Sequence, residues 1–419
     1  MKDKLIKIYK SKIFKNSLWL TVLQIMNTVI PMLTIPYITR VLGVEKYGVF
    51  SIALNWILYF QVFVEFGFGL TGARKTAIID NKNDLNKLFN NIISSRILLF
   101  VISFICLNII AIIMEFNIQT YICMSLLSIM IFGTTFQLTW LFQGKQDMKF
   151  ITIINSISRI ISVVLIFLLV KSENDLYLYC VLYSITLLLS SIIGMFVAYN
   201  KYELKFRFAK FKNIFEEINE GKYLFFSSAM SKIFSGIGIT ILSIISTSYL
   251  VGIYSAITKI PYILTMFFSP ISQALFPYNS IKLNENMDDG IRFIKKTCLP
   301  VFISFAIITI FIIVFRNLIV NILFGKEYSK YSLIVIPLAI QFLFGMINNF
   351  IGVQFMVASN NQKAYSESFT VGCVVILLSN IILGKLIGIY GVAFASLIAE
   401  IFLTIILFIK AKKLYERKN

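Results

Sequence analysis

The sequence contains no histidine. Ser-His-Asp and Cys-His nucleophile pairs, histidine-ligated zinc or iron and imidazole proton relays are therefore excluded. Cysteine is sparse. Cys106, Cys123, Cys180, Cys298 and Cys373 lie far apart in apolar runs and form no C-x-x-C pair, which argues against iron–sulfur, cysteine–zinc and disulfide frameworks. They read as small buried hydrophobes. No G-x-x-x-x-G-K-[ST] sequence is present, so ATP hydrolysis by that route is excluded. Charge is also thin: 14% of residues are charged, against 58% hydrophobic and 15% aromatic, with a mean hydropathy of +0.83. A water-soluble surface for 419 residues cannot be built from this pool. Acidic residues are the scarcer kind, 20 against 39 Lys and Arg, leaving a formal charge of +19 whose location decides the class.

What the chain has is long apolar runs. A membrane helix needs roughly 20 mostly apolar residues to cross about 30 Å of hydrocarbon. Twelve runs qualify: Ser17–Thr39, Tyr47–Gly72, Asn91–Met114, Gln119–Phe142, Phe150–Val170, Leu176–Tyr199, Lys222–Ser246, Ile253–Asn279, Cys298–Phe315, Tyr331–Val357, Ala364–Leu386 and Ile389–Ile409. The expected fold class is all-α and polytopic. The lysines ahead of the first run (Lys2, Lys4, Lys7, Lys10, Lys12, Lys15) resemble a signal peptide, but the run is too long and no A-x-A site follows, so it reads as an uncleaved first helix.

Placing the N-terminus in the cytoplasm sorts the charges. Twenty-nine of the 39 basic residues then fall on the inner side, seven on the outer side and three (Arg159, Lys232, Lys259) inside spans. An even number of spans with both termini cytoplasmic satisfies this distribution. The topology also disposes of two motifs. Gly67-Phe68-Gly69-Leu70-Thr71-Gly72 matches G-x-G-x-x-G but ends an apolar helix with no preceding strand, so it is not a dinucleotide site. The basic stretch Lys201–Lys212, with Tyr202, Phe206, Phe208 and Phe211 interleaved, reads beside a membrane as an interfacial segment on anionic lipid rather than a nucleic-acid patch.

The longest polar loop, Lys201–Gly221, falls at the midpoint. It divides the chain into an N-terminal lobe, residues 1–209, and a C-terminal lobe, residues 210–419. Each half opens with a long helix leading to a short outer turn, Leu42-Gly43-Val44-Glu45-Lys46-Tyr47 in the first and Leu250-Val251-Gly252-Ile253-Tyr254 in the second. Six spans plus six in parallel repeats is a transporter plan, with the substrate path expected between the halves.

The residues Trp19, Gln24 and Asn27, the run Pro31 to Gly43, Tyr47-Gly48, Gly67-Phe68 and Arg74 resemble the opening of bacterial O-antigen and polysaccharide flippases, members of the multidrug/oligosaccharidyl-lipid/polysaccharide exporter superfamily. The likeness continues through Trp140-Leu141-Phe142-Gln143-Gly144, Arg159, Gly252-Ile253-Tyr254, Lys259, Pro270, Pro277 and Gly391 to Glu400. One departure is Gln146, where the family pattern often has glutamate. The resemblance implies two six-helix lobes around a central cavity that opens alternately to either side. It also implies a cargo: an undecaprenyl-diphosphate-linked oligosaccharide moved from the inner to the outer leaflet for O-antigen, capsule or exopolysaccharide assembly. The polymerase and glycosyltransferases of the same pathway would be its partners, in the bacterial cytoplasmic membrane, with no nucleic acid.

Intramembrane charges are the natural candidates for such a path, because a charge in hydrocarbon is expensive. At about 1.5 Å per residue, Arg159, Lys232 and Glu400 come near mid-depth and Lys259 lies roughly 10 Å from the outer edge. Arg96 and Glu65 lie toward the inner side, within snorkelling reach of the interface. The expectation is that Arg159, Lys232 and Lys259 line the cavity and hold the diphosphate, while Glu65 or Glu400 pairs with a cation when the site is empty. Arg40 and Arg74 read as gate residues or as anchors. Polar and aromatic residues such as Asn27, Gln137, Trp140, Gln341, Asn348 and Asn349 are candidates for glycan contact. Prolines at positions 31, 36, 261, 270, 277 and 337 fall in spans, where they kink helices. No cofactor is expected. Coupling to H+ or Na+ through Glu65 or Glu400, or to the membrane potential alone, stays open. The rival readings are an ion-coupled small-molecule exporter of the same superfamily and a membrane polysaccharide polymerase. The polymerase is disfavoured because Glu216-Glu217 and Asp288-Asp289 both fall on the inner side.

Overall fold

The computed structural model describes residues 12–416 of the chain, so Lys2, Lys4, Lys7 and Lys10 lie outside the described residues, as do Arg417 and Lys418. In chain order the helices are α1 (Lys12–Val41), α2 (Gly43–Glu65), α3 (Phe68–Ile78), α4 (Lys82–Ile113), α5 (Ile118–Thr135), α6 (Thr139–Gly144), α7 (Met148–Leu169) and α8 (Leu176–Tyr202). They continue as α9 (Phe211–Ile245), α10 (Ser248–Ile257), α11 (Lys259–Glu285), α12 (Met287–Val314), α13 (Arg316–Leu323), α14 (Lys326–Ser329), α15 (Val335–Asn348) and α16 (Gln362–Glu416), with a π-helical segment Asn349–Val357 after α15. Among the described residues no strand occurs, as expected for spans that must satisfy every backbone group internally.

Among the described residues eleven helical stretches are long and apolar enough to cross a membrane. The last of them, Gln362–Glu416, is broken at Ile387 and Gly388, where φ is 58° at the glycine. It therefore supplies two spans, divided where the sequence divides them, and the expected twelve are present. Short side chains start the helices after tight connections. Asn81, Asn117, Thr247 and Asn286 each accept a hydrogen bond from a first-turn N–H of the helix that follows.

The described residues divide into two compact units, one made of the chain up to Ile35 with Ile52–Lys232, the other of Pro36–Ser51 with the chain from Ile233 on. The placement of Pro36–Ser51 has a geometric cause. A Cβ on Gly48 would lie 1.8 Å from the Ser248 carbonyl oxygen, and one on Gly252 would lie 2.1 Å from the Val44 carbonyl oxygen. The segment Leu250–Tyr254, which the sequence marks as a turn, is helical, and the first turns of α2 and α10 cross each other backbone to backbone. The contact is reciprocal: Gly48 faces Ser248 and Gly252, and Gly252 faces Val44 and Gly48. Arg40 donates to the Ile322 carbonyl and Tyr328 Oη to the Thr39 carbonyl at 3.4 Å, fastening the same segment to α13 and α14.

In the first unit the G-x-G-x-x-G run is a packing device. Gly67, at φ 77°, turns the chain between α2 and α3, and a side chain there would strike Leu224 Cβ at 2.7 Å. A Cβ on Gly72 would meet Trp140 and Ile92 at 2.9 Å, and one on Gly144 would meet Thr76 at 2.5 Å, so these glycines set the close approach of α3 to α6. Phe66 stacks on Phe225 with centroids 4.3 Å apart. At Gln146 the backbone is used: φ is 55°, and its carbonyl accepts from Asn16 Nδ2 at 3.0 Å.

The basic stretch after α8 runs extended along α4. The N–H groups of Lys205, Arg207 and Ala209 donate to Asn86 Oδ1, Asn90 Oδ1 and Ser94 Oγ at 2.8, 2.9 and 2.9 Å. Alternate strand residues advance about 6.6 Å, and four helical residues about 6.0 Å, so the two periods stay in step over this length. Phe206 and Phe208 stay exposed, while Leu204 is buried.

Candidate functional site

Each unit contains a polar cavity of its own. In the first unit it measures about 440 Å³ and its polar lining comes from Asn27 of α1, Glu65 at the end of α2, Arg96 of α4, Gln137 and Gln143 around α6, and Asn155 of α7. Arg96 is 3% exposed, and its Nη1 donates to the carbonyls of Gln137 at 2.7 Å and Thr134 at 3.3 Å. Thr134 lies in the last turn of α5, which stops at Thr135, and Gln137 in the connection to α6, so the guanidinium sits at the negative end of a helix. The ring of Phe68 lies 5.9 Å away. Among the described residues Arg96 Nε has no hydrogen-bond partner, which leaves donor capacity beside the cavity. Glu65 is exposed in the same cavity, with Gly69 leaving room beside its Oε1.

Arg159 of α7 is half-buried and donates to Asn27 Oδ1. It lies one turn beyond Asn155, whose Oδ1 accepts from Ser190 Oγ at 3.1 Å. Through Asn27 the structure therefore connects Arg159 with the cavity that Arg96 and Glu65 share. Lys232, half-buried, stands one turn beyond Ser228, another lining residue. Arg74 is exposed on α3, and its neighbour Lys75 is ion-paired with Glu217 at 2.8 Å and Glu220 at 3.0 Å. Sequence reasoning passed over Lys75, because the partner carboxylates lie far along the chain.

The cavity of the second unit is larger, about 600 Å³, and differs in charge. Among the described residues Glu400 is its one carboxylate, and no Lys or Arg lines it. Glu400 Oε2 accepts from Asn348 Nδ2 at 2.6 Å, and Asn348 Oδ1 accepts from Thr404 Oγ1 at 2.7 Å, so an amide holds this carboxylate where a cation was expected. Beneath the cavity runs a buried chain the sequence did not reveal. Asn279 Nδ2 donates to Gln354 Oε1 at 2.7 Å, Gln354 Nε2 donates to Ser272 Oγ at 2.9 Å, and Ser272 Oγ donates to Asn349 Oδ1 at 2.8 Å. The π-helical register brings Asn349 and Gln354 into this chain, and a π segment is a common mark of functional positions. Lys259 is half-buried at the start of α11, beside the lining residues Thr258 and Pro261, and does not line the cavity itself. Arg40 belongs to this unit as an anchor on α13.

Arg159, Lys232 and Lys259 are thus not gathered in either unit's own cavity. Of the glycan-contact candidates, Asn27, Gln137 and Trp140 line the first cavity, and Gln341 and Asn349 the second.

Comparisons with known proteins agree with this architecture. Residues 13–281 match the family described as polysaccharide biosynthesis protein. A protein of Escherichia coli (strain K12) named as an O-antigen transporter is 28% identical over 97% of this chain and 98% of its own length. A Haloferax volcanii protein named as the low-salt glycan biosynthesis flippase Agl15 is 27% identical over 91% of this chain and 80% of its own. Among solved structures, the lipid II flippase MurJ in an inward closed conformation superposes with a TM-score of 0.74 at 16% identity, over 95% of this chain and 87% of that one, which shows a shared fold.

Proposed function

This chain belongs to the polysaccharide biosynthesis protein family, and from that footing we propose that it flips polyprenyl-diphosphate-linked oligosaccharide repeat units from the inner to the outer leaflet of the cytoplasmic membrane, with both termini cytoplasmic. It is a multi-pass membrane transporter and not an enzyme. The observation that carries the reading is the cavity of the first unit, where a buried guanidinium with an unpaired nitrogen shares a polar chamber with amides inside apolar spans. A diphosphate bearing a glycan cannot cross hydrocarbon unaided, since each desolvated charge costs at least several kcal/mol and every hydroxyl loses its water. Arg96 and Arg159 supply cationic donors to the phosphates, and Lys232 and Lys259 add positive charge along the route. Glu65 compensates Arg96 when no substrate is present. Prolines 270 and 277 within α11 provide bending points for alternating access.

With the cytoplasm negative, outward movement of two phosphate charges gains on the order of 4–5 kcal/mol at 100 mV, so the potential can drive the cycle. H+ or Na+ exchange through Glu65 or Glu400 is the other coupling route, and measuring the flipping rate against pH and against potential separately distinguishes them. Deleting the gene should cause lipid-linked repeat units to accumulate on the inner leaflet, with re-expression clearing them. Export that survives Arg159→Gln and Lys232→Gln together would overturn the cationic route. The carboxylate of Glu400 in a cavity lined by no cation favours a second reading, an exporter of small cationic compounds. In that case the deletion strain accumulates such compounds and processes its repeat units normally.

A further inference from the structure

Resting on that reading, we infer that the cavity of the second unit is a subsite for the uncharged, hydroxyl-rich rings of the glycan, and that Glu400 makes it reject acidic sugars and the diphosphate. The volume, about 600 Å³, lies in the range of small-ligand sites. Its polar groups are held in place from behind and left free in front. Glu400 Oε2 is taken by Asn348 at 2.6 Å, whereas Oε1 makes no hydrogen bond among the described residues. Gly345 keeps that oxygen approachable, since even a Cβ there would stand 3.8 Å away. Asn349 accepts from Ser272 through Oδ1, and its Nδ2 makes no hydrogen bond among the described residues. The Gln341 side chain makes none either. One open carboxylate oxygen and two open amides form a mixed acceptor and donor set, which suits hydroxyls that both donate and accept.

The apolar part of the lining fits the same ligand. Tyr262 and Phe342 border the cavity, and flat rings of this kind pack on the C–H faces of sugars. Electrostatics makes the discrimination: Glu400 is the one carboxylate in the lining and, among the described residues, no lysine or arginine lines the cavity, so an anionic ring meets repulsion without compensation. The polar chain Ser272–Gln354–Asn279 fixes the π segment that carries Asn349, so the subsite is preorganised rather than assembled on binding.

The test uses the full-length protein in lipid nanodiscs at mildly alkaline pH, which keeps the Glu400 carboxylate charged, with three synthetic probes: a polyprenyl diphosphate carrying two N-acetylhexosamines, the same lipid with a hexuronic acid as its second sugar, and the bare polyprenyl diphosphate. Affinity is read by native mass spectrometry. The neutral probe should bind about tenfold more tightly than the acidic one, a difference of about 1.4 kcal/mol. Glu400→Gln keeps an acceptor for Asn348 and should shrink the ratio to within about threefold. Gln341→Ala should weaken the neutral probe while leaving the bare diphosphate unchanged. Equal binding of neutral and acidic probes, or a ratio untouched by Glu400→Gln, overturns the subsite. Loss of the bare diphosphate in Gln341→Ala overturns it as well. If no probe binds above the lipid background, the flippase reading itself fails.

Discussion

Gly252→Ala is the substitution whose outcome the structure defines most sharply. The added Cβ would lie 2.1 Å from the Val44 carbonyl oxygen and 3.1 Å from Gly48 N. A carbon and a carbonyl oxygen come no closer than about 3.3 Å, so α2 and α10 must separate by about 1.2 Å. The obstacle is backbone, and no rotamer change relieves it. Overpacking costs about 1–3 kcal/mol where side chains can adjust, and this site belongs at or above the upper end. In an unobstructed helix the same exchange gains about 0.5–1 kcal/mol. Gly194→Ala is the matched control, because the nearest atom to its Cβ would be Phe142 Cε2 at 3.9 Å. A loss of about 3 kcal/mol in a unit of this size should lower the melting temperature by about 6–12 °C. The measurement is fluorescence-detected thermal unfolding in detergent at one fixed scan rate, since such transitions are usually irreversible. Gly48→Ala should cost a similar amount. The double variant should cost less than the sum, because the helices have already parted. Gly252→Ala melting within about 2 °C of Gly194→Ala would refute the crossing.

Three further outcomes follow from other contacts. Asn90→Ala with Ser94→Ala removes the acceptors of Arg207 and Ala209, and amide exchange across residues 205–209 should accelerate about tenfold or more. Unchanged exchange would mean that α4 does not hold this segment. Lys75→Met leaves the buried Glu217 carboxylate without its ammonium and should cost about 1–2 kcal/mol, the low end for a charged pair because Lys75 is 23% exposed; Glu217→Gln in the same chain should restore most of the loss, read as melting temperature. Burial pushes the Tyr328 phenol above the usual tyrosine range. The neutral form is therefore favoured in the fold, so its contribution is complete below the unfolded value of about 10 and declines as pH rises beyond it; Tyr328→Phe should flatten the alkaline fall in melting temperature, and an unaltered alkaline limb would refute this.

Several of these contacts were marked in the sequence without their meaning being visible there. The glycine-bearing segments at Gly43 and Gly252 stood out by composition, yet that Val44 and Gly48 meet Ser248 and Gly252 is a fact of packing between helices some two hundred residues apart. Arg96 was legible as an intramembrane charge. Its attachment to the carbonyls of Thr134 and Gln137 depends on α5 ending where it does, and no local pattern at Arg96 records that. Glu400 was legible for the same reason, but its partner proved to be an amide. The buried set of Ser272, Asn279 and Gln354 left no trace, because single polar residues scattered in apolar helices look alike whether or not they meet.

The sequence by itself determined the all-α polytopic class and the apolar runs that become the spans. Those properties depend on how each stretch of roughly 20 residues partitions between water and hydrocarbon, a balance settled locally. It also determined which residues are too costly to bury without a use. Only the tertiary structure decided how those residues are grouped: Arg96 and Glu65 in one cavity with Arg159 tied to its wall, Glu400 in another with no cation lining it among the described residues, and Lys259 in neither. Apolar helices tolerate many pairings at similar hydrophobic cost. The choice among them rests on close backbone approaches such as Gly48 on Gly252 and on hydrogen bonds between distant polar side chains, which exist only once the helices have packed.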